Sequence, residues 1–323
     1  MGGESTTPRL RSPRFVGPDG GPYDDGMSAR IIDGKAVAAT IRAELRKEVA
    51  SLREGGVVPR LAILLAGDDA ASLSYVTAKQ RAAAEVGIHA DLQRIPGDGD
   101  PREVEAEIGR RIDALNADPA LHGMILQLPV PDGVDSDGLL RRIDPRKDVD
   151  ALHPENQGRI VIGQARYYPA TPHGVQQLLV RDGADPGGKH VVIVGRSRLV
   201  GLPLAAMLLQ KRAGANATVT VCHTRTPDLG GVTRTADILV AAAGQPAMIT
   251  ADMVRPGAVV IDVGVNRVED AAAKRGYRLV GDVAYAEVAP RCAAITPVPG
   301  GVGPMTIAML LKNTLLACQR HGK

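Results

Sequence analysis

Aromatic side chains are almost missing from this chain: one Phe, six Tyr and no Trp in 323 residues. A nucleic-acid binder built on stacked bases needs more of them, so no nucleic-acid partner is expected, and the interior must be built from Ala, Val, Leu and Ile. Cysteine is scarce as well. Cys222, Cys292 and Cys318 are odd in number and form no C-x-x-C pair. That argues against a disulfide framework or a structural zinc site and for free thiols in a reducing cytoplasm. No apolar run reaches the ~20 residues of a membrane span, so no membrane partner is expected. The net charge is only +3, so the overall balance by itself gives no polyanion-binding surface.

What is present begins with an irregular stretch. Residues 1–27 hold many Gly, Pro, Ser and Arg and no apolar h-region. They read as a disordered N-terminal extension and not as a secretory signal, with Met27 as an alternative start. The remaining length suits two domains of ordinary size. From Arg30 the pattern becomes regular. A short strand is followed by a helix with Val37, Ile41, Leu45, Val49 and Leu52 on one side. "RLAILLAG" is an unbroken apolar run, expected of a strand covered on both faces. A helix, the strand "IHADLQRI", a helix over 101–116 and the strand "GMILQLP" follow. Such alternation implies βαβ units and a parallel sheet.

Residues 129–172 are rich in Pro, Asp and Gly and read as a long functional loop. A second alternating unit starts at "GKHVVIVGRSRLVGLPLAAMLL" and runs through "ATVTVC", "ADILVAAAG" and "GAVVIDVGV". The last segment is a Gly-rich turn leading into an apolar helix, expected to pack back on the first domain.

Four groups carry candidate chemistry. In "SYVTAKQRAAAEVGI", Tyr75 and Lys79 are one helical turn apart on the side that also carries Ala78, Ala82, Ala83 and Val86. A lysine there either snorkels to water or is held dry with a lowered pKa and exchanges protons near neutrality. Gln127 ends a strand, where sites of parallel sheets gather. Asp148 and Asp150 in "KDVD" are spaced to point one way on an extended segment, although such pairs commonly cap turns, and no further carboxylates cluster with them to make a metal site. Gly195 and Gly201 frame a strand-to-helix turn suited to a phosphate, without the usual G-x-G-x-x-G. The next strand ends "VCHTRT", lacking the acid that takes the ribose hydroxyls in NAD-binding units. Arg196, Arg225 and His223 instead favour a 2′-phosphate, hence NADP.

Taken in order, the motifs are similar to one family. "YVTAKQRAAAEVGI", "GMILQLPVP", "DPRKDVDALHPENQGRI", "ATPHGVQQLL", "GKHVVIVGRSRLVGLP", "AAAGQPAMITADMVRPGAVVIDVGVNR" and "ITPVPGGVGPMTIAMLL" resemble the bifunctional methylenetetrahydrofolate dehydrogenase/cyclohydrolase proteins, from Arg30 to the C-terminal end. The resemblance implies an α/β fold of two three-layer α/β domains with a cleft between them. Residues 28–170 with 303–323 would form the catalytic folate-binding domain, and 171–302 a Rossmann-type NADP-binding domain. It implies NADP as cofactor, tetrahydrofolate derivatives as substrates and a homodimer.

Residue by residue, Tyr75 matches the tyrosine that stacks on the folate, Lys79 the catalytic lysine, Gln127 the glutamine that positions it, and Asp150 the aspartate that binds the pterin. Leu128 and Pro129 follow Gln127 in the substrate-binding motif, and Pro299, Gly300 and Gly301 match the motif lining the site near the nicotinamide. Gly195, Arg196 and Ser197 match the cofactor loop, His223 and Thr224 lie on the 2′-phosphate side, and Val265 lies in the loop beside the cofactor. Two departures stand out. Ala151 replaces the usual Gly after "KDVD", expected to shift the folate loop slightly, and Ala170 replaces a frequent Cys. The implied chemistry is oxidation of methylenetetrahydrofolate to the methenyl cation, then hydrolysis to 10-formyltetrahydrofolate. The other classes weighed are a shikimate-dehydrogenase-like NADP oxidoreductase, whose glycine loop differs and which has no counterpart of "PGGVGPMT", and a catalytically silent folate- or nucleotide-binding protein.

Overall fold

A computed structural model describes residues 29–273 and 276–321; the extension expected over residues 1–27 lies outside them. After β1 (Arg30–Ile31) comes α1 (Gly34–Glu54). The Asp33 carboxylate accepts from the Lys35 and Ala36 amides at its start, satisfying donors that have no partner within the helix. Its stripe is buried at Ala38, Ile41, Leu45 and Val49, with Val37 and Leu52 packed at the margin. Next are β2 (Arg60–Ala66), α2 (Ala70–Val86), β3 (His89–Ile95), α3 (Pro101–Ala117) and β4 (Gly123–Leu126). Asp69 caps α2 by accepting from the Ser72 amide at 2.7 Å, and Gly87 ends it at φ +86°, the left-handed turn a glycine makes without a Cβ penalty.

The strands β3-β2-β4 form a three-stranded parallel sheet. Residues 129–172, expected as one long loop, also contain α4 (Ser136–Arg142), α5 (Pro154–Val161) and the start of α6 (Ala170–Arg181). Their N-caps explain why the Pro/Asp/Gly composition misleads. Asp135 accepts from the Gly138 amide, and His153 accepts from the Glu155 amide ahead of a Pro at the first helical position, where proline is at home.

The second unit contains β5 (His190–Val194), α7 (Gly201–Leu208), β6 (Thr218–Cys222), α8 (Leu229–Thr233), β7 (Ile238–Ala241) and β8 (Val259–Asp262). It continues with the antiparallel hairpin β9 (Asn266–Glu269) and β10 (Tyr277–Val280), then α9 (Tyr285–Val288) and β11 (Ala294–Ile295). The larger sheet is wholly parallel in the order β1-β11-β8-β7-β5-β6. The N-terminal strand β1 therefore closes the edge of this second sheet, although α1 belongs beside the first. Finally α10 (Val302–Arg320) packs along both α6 and α1. One buried cluster runs through α1, α2, α6 and α10 and reaches both sheets, through Ile63 and Ile125 in one and Val191 and Ile261 in the other.

Candidate functional site

The helix α2 has one face against the core and one against a cleft. Val76, Ala83 and Val86 are fully buried. Tyr75 is 37% exposed and Ala78 is open, both facing a cavity of about 510 Å³. The expectation that Ala78 shares a buried stripe with its neighbours is therefore not met: the helix is wedged between two units and one flank is left free. The opposite wall of this cavity is built from Val265, Pro299, Gly300 and Gly301. A Cβ built on Gly303 would lie 3.8 Å from the Tyr75 hydroxyl, which places the tyrosine against the start of α10.

One turn further along α2, Lys79 lies in a separate chamber of about 120 Å³ with Leu126, Gln127, Leu128, Asp150 and Thr171 among its walls. Lys79 is 7% exposed, and its Nζ donates to Gln127 Oε1 at 2.9 Å. The amide of Gln127 is oriented in turn by donating from Nε2 to the Leu128 carbonyl at 2.6 Å. Burial lowers the Lys79 pKa, and the charge of Asp150 opposes that shift; burial raises the carboxyl of Asp150, and the charge of Lys79 opposes it. Each group is thus held near its partner with its ionised form made costly by the dry surroundings.

Asp150 is delivered by a firmly braced segment. Asn313 on α10 donates to the carbonyls of Val149 and Tyr168, both at 2.8 Å. The Asp148 carboxylate accepts from the amides of Leu152 and His153 and from Asn156 Nδ2. It is a structural brace, which separates the two aspartates the spacing had left equivalent. Ala151 adopts φ +56°, a left-handed backbone that favours glycine, while Gln157 holds its carbonyl at 2.5 Å. The substitution of Ala for Gly after "KDVD" thus carries local backbone strain.

The remaining substrate-motif residue, Pro129, follows a cis peptide and lines a neighbouring cavity with Gly67, Asp68 and Arg94, not the Lys79 chamber. Gly195 lies at the carboxyl end of β5 with φ +127°, and a Cβ there would come within 2.0 Å of the Ala242 carbonyl oxygen. Arg196 and Ser197 follow it in the open. Residue pairing between Val194 and Cys222 sets the end of β6 beside it, so His223, Thr224 and Arg225 emerge next to Arg196. The His223 amide donates to Thr226 Oγ1 and its Nδ1 accepts from the Arg225 amide, which leaves the exposed Arg225 side chain at the turn's tip. Among the described residues neither Arg196 nor Arg225 forms an ion pair. Two uncommitted guanidiniums, an exposed serine and no carboxylate at this corner fit a ribose 2′-phosphate.

Some site residues carry no local sequence signal. Thr171 and Thr306, bonded to each other at 3.0 Å, and Leu199 reach the Lys79 chamber from three distant segments. Lys35, Arg42 and Arg81 line the larger cavity; only their helical faces could have suggested a shared direction. Asp262, at the end of β8, accepts from the amides of Gly264, Asp282 and Val283. Asp282 accepts from Ala243, Gly244 and Asn266, so this carboxylate pair fixes the loops that carry Val265. Burial and the neighbouring Asp282 charge raise the Asp262 pKa to about 6.

Fold and site together define a two-unit α/β enzyme with a buried lysine in one wall of its cleft and a dinucleotide corner in the other. Residues 32–150 match the catalytic-domain model of the tetrahydrofolate dehydrogenase/cyclohydrolase family, and residues 169–322 match its NAD(P)-binding-domain model. The chain is 54% identical over 296 residues to the bifunctional protein FolD of Syntrophus aciditrophicus, covering 91% of this chain and 98% of that one. It is 50% identical over 294 residues to that of Moorella thermoacetica, covering 91% and 100%. Among solved structures, the Trypanosoma brucei methylenetetrahydrofolate dehydrogenase-cyclohydrolase complexed with NADP and an inhibitor superposes with a TM-score of 0.85 at 41% identity, over 91% of this chain and 98% of that one. The Campylobacter jejuni enzyme gives 0.83 at 42%, over 90% and 99%. The chain belongs to the tetrahydrofolate dehydrogenase/cyclohydrolase family and is an NADP-dependent enzyme with both activities.

Proposed function

We propose that the Lys79 chamber and the cavity beside Tyr75 form one folate site, in which methylenetetrahydrofolate is oxidised and the methenyl product then hydrolysed. Residues 28–170 with 303–323 carry the folate site and residues 171–302 the dinucleotide, β1 being lent to the second sheet. NADP, bound at Gly195, Arg196, Ser197, His223 and Thr224 with Val265 alongside, supplies the hydride acceptor. The chain's own part in that step is alignment, since holding two reactants in register supplies much of the rate. Tyr75 forms one wall of the folate slot and Pro299, Gly300 and Gly301 the other. Asp150 accepts from the pterin N–H groups. Leu128 continues the substrate wall, while Pro129 faces the adjoining cavity. Lys35 and Arg81 give the slot positive charge suited to the carboxylates of the folate tail, Arg42 being paired with Glu85 at 3.1 Å.

In the hydrolytic step water adds to the methenyl carbon and one of its protons is released to solvent; as the bond from that carbon to N5 breaks and the formyl C=O forms, the other proton is passed to N5. Lys79 moves that proton, and Gln127 holds its Nζ in place. A buried amine with a lowered pKa exchanges protons more readily near neutrality than a solvated one. We read the enzyme as a cytoplasmic homodimer supplying formyl groups for purine synthesis, and no described helix is long and apolar enough to cross a membrane.

The observation that carries this reading is the Lys79 Nζ bonded at 2.9 Å to Gln127 inside a chamber shared with Asp150. Lys79→Met is expected to lower hydrolysis of methenyltetrahydrofolate, followed by its absorbance, by at least ~100-fold, with NADP affinity unchanged. A wild-type hydrolysis rate in the purified variant removes Lys79 from the chemistry. For the cofactor, dehydrogenase assays should show a higher kcat/KM with NADP+ than with NAD+, and Arg225→Ala should narrow that preference. Equal efficiency with both in the wild type would defeat the assignment of the turn after β6.

A further inference from the structure

The strand β4 has a second cavity at its other end. Gln127 follows the carboxyl end and reaches the Lys79 chamber, whereas His122 precedes the amino end and lines a cavity of about 560 Å³ on the far side of the small sheet. Six basic side chains face into it: His122, Arg146, Lys147, Arg166, Arg320 and His321. Among the described residues no carboxylate lines it. They come from four separate segments, so the convergence is a product of the fold and not of a charged run.

We propose that this cavity is a binding site for a small phosphate-bearing anion, separate from the folate and dinucleotide sites. The volume is within the range of small-molecule pockets. Guanidinium forks match phosphate oxygens in pairs; of the three guanidiniums here, Arg146 and Arg166 already hold carboxylates and, among the described residues, Arg320 does not.

The charge around the cavity is only partly balanced. Asp144 is taken by Arg146 at 2.6 Å, Asp118 by Arg60, and Glu155 is shared between Arg159 and Arg166. Among the described residues Arg320 donates only to the Arg166 carbonyl. The Lys147 Nζ donates to the carbonyls of Leu115, Asn116 and Asp118 at the end of α3. Lys147 therefore contributes its charge and no free proton, while Arg320 offers a guanidinium with unused donors. His122 lies edge-on to His321 with ring centroids 5.1 Å apart. Burial lowers its pKa, and the nearby charges of His321, Arg60 and Lys147 lower it further against the opposing Asp118. The neighbouring positive charges, the smaller part of that shift, are the part that also favours an anion.

The test is calorimetric titration of inorganic pyrophosphate into the full chain in a phosphate-free buffer at about 0.1 M salt, with the dinucleotide site saturated by NADP. One saturable site per chain is expected, weakened at least tenfold in both Arg320→Gln and Arg146→Gln. Both positions are exposed and outside the cleft, so wild-type dehydrogenase rates in the variants establish that they fold. Absence of saturable binding at millimolar pyrophosphate overturns the proposal, as does affinity unchanged in both variants. Citrate binding more tightly than pyrophosphate would overturn the assignment to phosphate.

Discussion

Lys79 and Asp150 share a chamber of about 120 Å³, and each alters the other's hold on its proton. Burial pulls the Lys79 pKa down and the Asp150 charge pulls it back up. Removing that charge leaves burial unopposed, so in Asp150→Asn the lysine pKa falls further. If the neutral amine is the working form in hydrolysis, the acid limb of kcat/KM against pH moves to lower pH in this variant, whatever happens to the overall rate. Limb position and amplitude report different things: amplitude reflects lost pterin contact, position reflects the field at Nζ. A limb that stays in place or moves upward separates Asp150 from the proton chemistry of Lys79.

The elements around the site depend on close backbone approach. The first turn of α1 rests on the loop before α10: a Cβ built on Gly34 would be 1.8 Å from the Gly301 carbonyl oxygen, with the Gly300 oxygen at 2.9 Å. Backbone cannot give way as a side-chain tip can. Gly34→Ala is therefore expected to cost about 2 kcal/mol of stability by overpacking and to raise the KM for the folate through displacement of Pro299–Gly301, leaving the KM for NADP near its wild-type value. Chemical denaturation and steady-state kinetics check the two parts, and an unchanged folate KM detaches this contact from the site. Such a contact could not be read from the sequence, since it joins residues far apart in the chain. The strands and long helices could be read, because their apolar patterns are local: the α1 stripe is buried as spaced, and "RLAILLA" is buried on both faces. The 129–172 stretch was harder, since two short helices there are held by single caps. Ala78 was misplaced because helical spacing fixes a direction and not what lies in that direction. Tyr75, Lys79, Gln127 and Asp150 could be singled out by spacing and strand position, but their roles came from motif resemblance; spacing alone favoured a snorkelling Lys79.

Acid stability belongs to the molecule as a whole, and here two buried groups pull against each other. His173 on α6 is 9% exposed, its Nδ1 has no hydrogen-bond partner, and its ring packs edge-on to Tyr168 at 5.4 Å. Burial, followed by the charges of Lys312 and Arg212, lowers its pKa from 6.5 to about 3. The unfolded chain takes up a proton below pH 6.5 and the native state does not, so this contribution is fully present above pH 6.5 and is lost as pH falls toward 3. Between pH 6.5 and 5 the loss is about 2 kcal/mol. Asp262 works in the other direction. With its native pKa raised to about 6 from 3.8, it binds a proton before the unfolded chain does, and over the same interval it returns about 1 kcal/mol. These two contributions therefore largely offset each other in this window. His173→Phe keeps an aromatic ring against Tyr168 and removes the titration. Its stability at pH 7 should be no lower than wild type, and on acidification to pH 5 it should hold level or rise slightly where the wild type falls. Denaturant unfolding at pH 7, 6 and 5 reads both curves. Parallel curves would mean that His173 protonates in the native state as easily as in the unfolded one, and that the buried ring is not the source of the acid limb.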